Sequence, residues 1–346
     1  MKNFKKYSLS DQLWDSILKT SQFFNKKDPS NSQMARHILS LSDKYQTKFV
    51  SHSDVWQSAA HTAAYINYNL PLNALRTKAV LELSQFSTLL NENSHIYDYG
   101  SGPGTTQLAL GELDINYTAI TNVEIAKKPI DIHKKLLQLN PDIPKGQTHW
   151  SAQFPKVIKK NSVAIFNYSF NELPEWPENI LDFETILIIE PSTQDVTRRL
   201  QEQRDKFVTK GYHCHAPCTH DLSCPLLKFS KTDWCHSRIF FHSNPRLDEF
   251  EKHLPIKNTS LTFSYLLLSK KPRSQNLKNT VRIIGDTLRE KGKTRQAICR
   301  GEKREFLAWL KRDFKKPAPL ERGHLYQVPE SHEVKGQEIR IKNSLK

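Results

Sequence analysis

The segment Asp98-Tyr99-Gly100-Ser101-Gly102-Pro103-Gly104 decides how the rest of the chain reads. Before it, His95–Tyr99 has the pattern of a short strand; after it, Thr105–Leu113 reads as a helix. Strand, glycine-rich turn and helix in that order let the backbone approach a ligand at the carboxyl end of a strand, where open α/β sheets bind their ligands. The glycines are spaced G-x-G-x-G, and Thr105 stands where a dinucleotide fingerprint has its third glycine. Asp98, at the strand's end, would oppose a pyrophosphate and suits a cation with an amino group and a sulfonium. The expectation is therefore S-adenosylmethionine rather than NAD, held by Asp98, Gly100, Ser101, Gly102 and Gly104. Glu124, 20 residues after Gly104, ends the next predicted strand and is placed to accept hydrogen bonds from ribose hydroxyls.

Tyr117–Ile125 reads as a strand, Ile130–Leu139 as a helix, and Ser162–Tyr168 and Thr185–Glu190 as strands buried on both faces. A helix over Thr193–Lys210 and closing strands at His213–Ala216 and Leu261–Leu268 complete an α/β alternation that predicts a parallel sheet covered by helices. Residues 8 to about 90 read as helical, with Pro71 expected to split Asp54–Leu90 into two helices. Past Thr280, Val281–Ile284, Gln296–Cys299, Phe306–Leu310 and Leu325–Val328 suggest a small β-rich appendage. The expected organisation is a helical region at 1–90, an α/β domain at 91–270 with an insertion at about 214–245, and a basic extension at 271–346. After the fourth strand of the α/β domain comes Asn167-Tyr168-Ser169-Phe170-Asn171-Glu172-Leu173, which in such a fold borders the methyl group and the substrate. Asn167 is a candidate cofactor contact there. Asn171 and Glu172 are candidates for orienting a target. The loop is not an Asp/Asn-Pro-Pro-Tyr loop, and no cysteine nucleophile is placed for carbon methylation.

Four of the five cysteines, Cys214, Cys218, Cys224 and Cys235, fall within 22 positions; the fifth is Cys299. The start of the chain has no secretory h-region, so disulfides are not expected and a metal is. No C-x-x-C pair occurs, which disfavours a zinc ribbon. Irregular spacing suits a 4Fe-4S cluster, with zinc as the alternative. Spacing leaves the fourth ligand open between Cys214 and Cys299, with His220 or His236 as substitutes. The bland reading is a set of free thiols.

The chain has 346 residues, a net charge of +15 and a mean hydropathy of −0.62. From Lys270 onward, 21 Lys or Arg face 9 Asp or Glu, so +12 of that charge lies in the last 77 residues. Such a block attracts phosphate backbones in a salt-dependent way, which points to RNA. No apolar run is long enough to span a bilayer. The first Arg is Arg36, with Asp11 and Asp15 before it, so the start does not read as a transit peptide. A cytoplasmic protein is expected, with mitochondria as the alternative.

Ile96–Gly104, Asn167–Leu173, Glu190-Pro191, Ala216-Pro217-Cys218-Thr219-His220 and Asp233-Trp234-Cys235-His236 occur in the order found in one known family. Over about Val55 to Phe306 the chain resembles the methyltransferase-like small ribosomal subunit proteins of the Rsm22 type, whose mitochondrial members include methyltransferase-like protein seventeen. The resemblance implies a Rossmann-like class I methyltransferase fold that binds S-adenosylmethionine, and a 4Fe-4S cluster in the insertion. Carried over, the cluster ligands are Cys218, Cys224, Cys235 and Cys299, and Cys214 has no counterpart. It also implies work on the small ribosomal subunit and its rRNA during assembly, here by a monomeric, bacterial-type cytoplasmic member. Ser192 departs from the usual glycine, and the last forty residues match little. Three readings follow: an rRNA methyltransferase; a non-catalytic assembly factor with cofactor and cluster in structural or sensing roles; and a nicotinamide oxidoreductase, which would bind NAD.

Overall fold

The structure is a computed structural model and describes residues 4–25, 29–46, 52–173, 175–255, 257–274, 277–314, 317–343 and 345. In chain order its strands and α-helices are β1 (Lys6–Tyr7), α1 (Asp11–Phe24), α2 (Asn31–Gln46), α3 (Ala59–Ala64), α4 (Leu70–Leu83), β2 (His95–Tyr99), α5 (Thr105–Glu112), β3 (Ala119–Val123), α6 (Lys127–Leu139), β4 (Gln147–Ser151) and β5 (Ser162–Asn167). There follow β6 (Thr185–Glu190), α7 (Gln194–Thr209), β7 (His213–Ala216), α8 (Pro225–Phe229), β8 (Ser237–Phe241), α9 (Pro245–Glu251) and β9 (Leu261–Ser269). The chain ends in β10 (Thr280–Arg289), β11 (Lys293–Cys299), β12 (Glu305–Leu310), β13 (Leu325–Gln327), β14 (Glu333–Lys335) and β15 (Glu338–Arg340). Among the described residues no helix is long and apolar enough to cross a membrane.

Two compact units result: residues 5–169 with 239–261, and residues 1–4 and 170–238 with 262–346. In the first, β5, β2, β3 and β4 form a parallel sheet in that order, with His95 opposite both Ala119 and Ser162, and Ala119 opposite Gln147. The chain moves outward from β2 to β3 and β4, then returns to β2's other side at β5. The carboxyl ends of β2 and β5 therefore flank a switch in strand order, where the crossover loops part and leave a crevice. Ile96, Ile120, Val163, Ala164 and Ile165 are almost wholly buried, as strands covered on both faces require. This is the Rossmann-like α/β arrangement expected.

The helices before β2 pack onto this sheet's helices, α1 on α6 and α4 on α5. Ser10 caps α1, its Oγ accepting from the Leu13 N–H at 3.2 Å, and Leu13, Trp14 and Ile17 give that helix its buried stripe. Pro71 does not break the helical run. α3 continues through a π-helical turn at Tyr65–Asn69 into α4, where Pro71 lies in the first turn and its missing N–H costs little. β4 was not foreseen, because its residues Gln147–Ser151 are polar and only partly buried.

In the second unit, β9 runs antiparallel to both β6 and β7, with Thr185 and His213 each opposite Ser269. The β10–β15 strands build a separate sheet, order β13-β10-β11-β12-β15-β14, around Val281, Ile283, Ile298, Leu307, Trp309 and Ile339. The expected β-rich appendage is therefore present, with β14 and β15 in addition.

Candidate functional site

In the first unit, the turn after β2 is a glycine cradle held in shape by its own backbone N–H groups. The Gly100 and Ser101 N–H groups donate to the Val123 carbonyl at 2.8 and 3.2 Å, locking the turn to the end of β3. Gly102, Gly104 and Gly100 all have positive φ. At Gly104 a Cβ would lie 2.2 Å from the His133 ring, so only glycine lets α5 start there. At Gly102 (φ +52°) a Cβ would meet nothing within 4 Å: the turn faces open space. Glu124 closes the cradle, its Oε2 accepting from the Gly102 N–H at 3.0 Å and its Oε1 from the Ala126 N–H at 2.8 Å. The next residue, Ile125, is 78% exposed. Tyr99 stacks between Phe166 and the half-exposed Phe154, with ring centroids 4.8 and 4.6 Å away.

Asp98 is the anomaly. It is fully buried, and neither carboxylate oxygen has a hydrogen-bond partner of ordinary geometry among the described residues. Burial pushes its carboxyl up to about 8, with the Glu124 charge adding and the Thr106 hydroxyl opposing. Buried carboxylates are normally paired or hydrogen-bonded, so Asp98 has the chemistry of a group matched to a cation. Ser101 also presents a buried hydroxyl without a hydrogen-bond partner among the described residues.

Asn167 is placed differently from a free ligand contact. Its Nδ2 donates to Thr77 Oγ1 at 3.0 Å and Thr106 Oγ1 at 3.1 Å, tying β5 to α4 and α5. In the second unit, Asn171 and Glu172 sit on a short 3-10 turn anchored by Glu190, whose Oε1 accepts from the Phe170 and Asn171 N–H groups at 2.9 and 3.1 Å. Burial raises the Glu190 carboxyl to about 7.

The second unit also brings distant cysteines together. Cys218, Cys224, Cys235 and Cys299 line one cavity of about 550 Å³, counting its space open to solvent. Cys218 follows β7, Cys224 precedes α8, Cys235 precedes β8, and Cys299 ends β11. His220 Nε2 lies 3.4 Å from Cys299 Sγ. Cys214 is buried in β7, its N–H donating to Asp221 Oδ1 at 2.8 Å, and its thiol hydrogen-bonds with Cys218. Two guanidiniums share the cavity wall, and no pattern in the sequence signals either. Arg282, on β10, donates from Nη1 to Cys235 Sγ at 3.1 Å, from Nη2 to Ser237 Oγ at 2.7 Å and from Nε to the Gly323 carbonyl at 3.2 Å. Arg204, on α7, donates to the Leu222 carbonyl at 2.6 Å, to the His220 carbonyl and to Asp205.

These contacts separate the thiols electrostatically. The hydrogen bond from Cys214 holds Cys218 well below the usual thiol range against the cost of burial, with Arg204, His220 and Arg282 assisting. Burial and the Cys218 charge push Cys224 up to about 12; burial likewise raises Cys235 and Cys299. Arg204 stays firmly charged because Cys218 and Cys214 outweigh its own desolvation. Among the described residues no group of three or more His, Cys, Asp or Glu is arranged to hold a single metal ion. The donor set is four thiols around one cavity, with two buried cations to balance negative charge.

The profile of the family described as mitochondrial small ribosomal subunit Rsm22 matches residues 59–327. This chain belongs to that family. The span matched in the Rsm22 family contains the glycine cradle and all five cysteines. No curated protein matches the chain. Among solved structures, it is similar to precorrin-6y C5,15-methyltransferase from Geobacter metallireducens GS-15, at 12% identity over 56% of this chain and 88% of that one, with a TM-score of 0.36. It is also similar to M. capricolum TrmK in complex with S-adenosyl-homocysteine, at 14% identity over 57% and 70%, TM-score 0.32. A third is a SAM-dependent methyltransferase from Thiobacillus denitrificans in complex with S-adenosyl-L-homocysteine, at 10% identity over 55% and 91%, TM-score 0.31.

Proposed function

We propose that this Rsm22-family chain binds S-adenosylmethionine in the glycine cradle and a 4Fe-4S cluster in the cysteine-lined cavity. On this reading it acts, as a monomer, on the small ribosomal subunit or its rRNA, through rRNA methylation, subunit assembly or both. Functionally the chain then divides into a helical lead-in (1–90), the cofactor domain with its cysteine insertion (91–270) and a basic extension (271–346). Its workplace is wherever small subunits are built, bacterial cytoplasm or mitochondrion.

The observation that carries the cofactor is the buried Asp98 carboxyl at the base of the glycine turn, to which no described residue makes a hydrogen bond of ordinary geometry. A cationic amino acid with a sulfonium would supply its missing partner, the Gly102 cradle has room, and Glu124 and the exposed Ile125 offer an acceptor and an apolar face for a nucleoside. When bound, the cofactor would supply an activated methyl group. The chain's own part is to hold it and to exclude water, so that proximity does the work. For the cluster, Cys218, Cys224, Cys235 and Cys299 would be the ligands, with Arg204 and Arg282 offsetting thiolate charge.

A non-catalytic assembly role is the second reading, favoured by one feature: Asn167, which opens the candidate substrate loop, and Glu190, which anchors it, are already committed. Asn167 is held by two hydroxyls, and Glu190 accepts from two backbone N–H groups. Isothermal titration with S-adenosylmethionine and NAD, metal analysis of anaerobically purified protein, and rRNA methyl profiling of a Gly102→Arg strain test the reading. Binding of NAD alone, or stoichiometric zinc without iron, refutes the respective assignment. Loss of one rRNA methyl group with normal assembly selects the enzyme; no changed methyl group in any variant removes it.

A further inference from the structure

The β10–β15 sheet has a diagnostic connectivity. Numbered from β10 and leaving out β13, its order is 1-2-3-5-4: β10–β11 and β11–β12 are antiparallel, β12–β15 is parallel, and β15–β14 is antiparallel. The first strand is long, and its register breaks between Ile283 and Thr287. There Gly285 lets Ala297 approach, since a Cβ would stand 2.9 Å from the Ala297 Cβ. A five-stranded sheet in this order, curled by a break in its first strand, is the oligonucleotide/oligosaccharide-binding fold. Such folds bind on the outer face of strands two and three and on the loops joining one to two and four to five.

The charge on this body is not spread evenly. Lys293, Arg295 and Arg340 are balanced by Glu290, Glu333 and Glu338. The turn between β10 and β11 is different. The Lys311 N–H donates to the Gly292 carbonyl at 3.0 Å and its Nζ to the Lys291 carbonyl at 2.9 Å, binding the end of β12 to that turn. Because β15 runs parallel to β12, it ends on the same side, and Trp309 Nε1 reaches the Asn343 carbonyl at 3.2 Å. Register alone thus gathers Arg289, Lys291, Lys311 and Lys342 at one end of the body. All four are exposed, and none has a carboxylate partner among the described residues.

We propose that this end of the fold is a binding site for single-stranded RNA, with Arg289, Lys291, Lys311 and Lys342 taking consecutive phosphates as the strand passes along the β10–β11 turn and the ends of β12 and β15. The inference rests on the RNA reading above and names the surface. A curved sheet with free cations at one loop end suits a flexible strand, whose bases can turn toward the protein while its backbone follows the charge.

The test is fluorescence anisotropy of the full chain with a labelled single-stranded RNA and its duplex, across a salt series. Arg289→Gln/Lys291→Gln/Lys311→Gln/Lys342→Gln is compared with Lys134→Gln/Lys206→Gln/Lys210→Gln/Lys231→Gln, which removes equal charge elsewhere, with thermal melts to show both fold. The expected result is single-strand preference and at least tenfold weaker binding for the first variant alone. Its salt slope should fall by about 0.7 for each phosphate no longer neutralised, or about 3 for four. Equal binding by the two variants, or equal affinity for duplex, overturns the proposed site while leaving the RNA reading standing. No RNA binding by the unaltered chain, even at low salt, overturns both.

Discussion

Asp98→Asn separates what the buried carboxyl costs the fold from what it does for a ligand. Folded, the group keeps its proton up to about pH 8; unfolded, it loses it near 3.8. Between those values the folded chain binds the extra proton, so this group's contribution makes stability fall as pH rises from about 4 to 8. At 1.36 kcal/mol per unit, a gap of about four units sets a ceiling of about 6 kcal/mol. The isosteric, neutral Asn carries no such cost. Thermal melts should therefore show the variant and the parent close together near pH 4, with the variant increasingly more stable toward pH 8. The ligand moves the other way. If a cation is held by the ionised carboxylate, binding expels a proton, and parent affinity for S-adenosylmethionine drops about tenfold per unit below pH 8, or about a hundredfold by pH 6. In the variant that slope disappears and affinity is low throughout. A variant no more stable than the parent at pH 8, or a parent affinity flat from pH 6 to 8, refutes the reasoning.

Gly102→Arg should leave the melting temperature within a few degrees and abolish cofactor binding by titration, since its side chain would enter the open cradle. Cys218→Ser and Cys299→Ser should each lose iron and the brown absorbance of anaerobically purified protein, whereas Cys214→Ser should keep both; iron retained in Cys299→Ser would exclude that residue as a ligand. Arg282→Ala leaves Ser237 Oγ and the Gly323 carbonyl without their buried donor, and should cost about 2–4 kcal/mol in urea unfolding. Arg282→Lys should not restore it, because one ammonium cannot reach three partners in separate directions.

The order of β2, the glycine turn, α5 and β3 was legible in the sequence, because glycine spacing and apolar runs are local properties that a strand–turn–helix must satisfy within a few residues. The sequence also located every cysteine and the basic end. It misjudged Pro71 because a π-helical turn, which propensity does not signal, carries the helix through. It missed β4, β14 and β15 because polar or very short strands owe their existence to a neighbour's hydrogen bonds rather than to their own pattern. Only packing in space brings Cys299, at the end of β11, into one cavity with three cysteines that lie 64 or more residues earlier. Packing in space likewise set Arg204 and Arg282 beside the thiols and buried Asp98 with no hydrogen bond of ordinary geometry among the described residues. The physical reason is common to all three: burial and electrostatic pairing depend on what surrounds a group in space, and sequence distance carries almost none of that information.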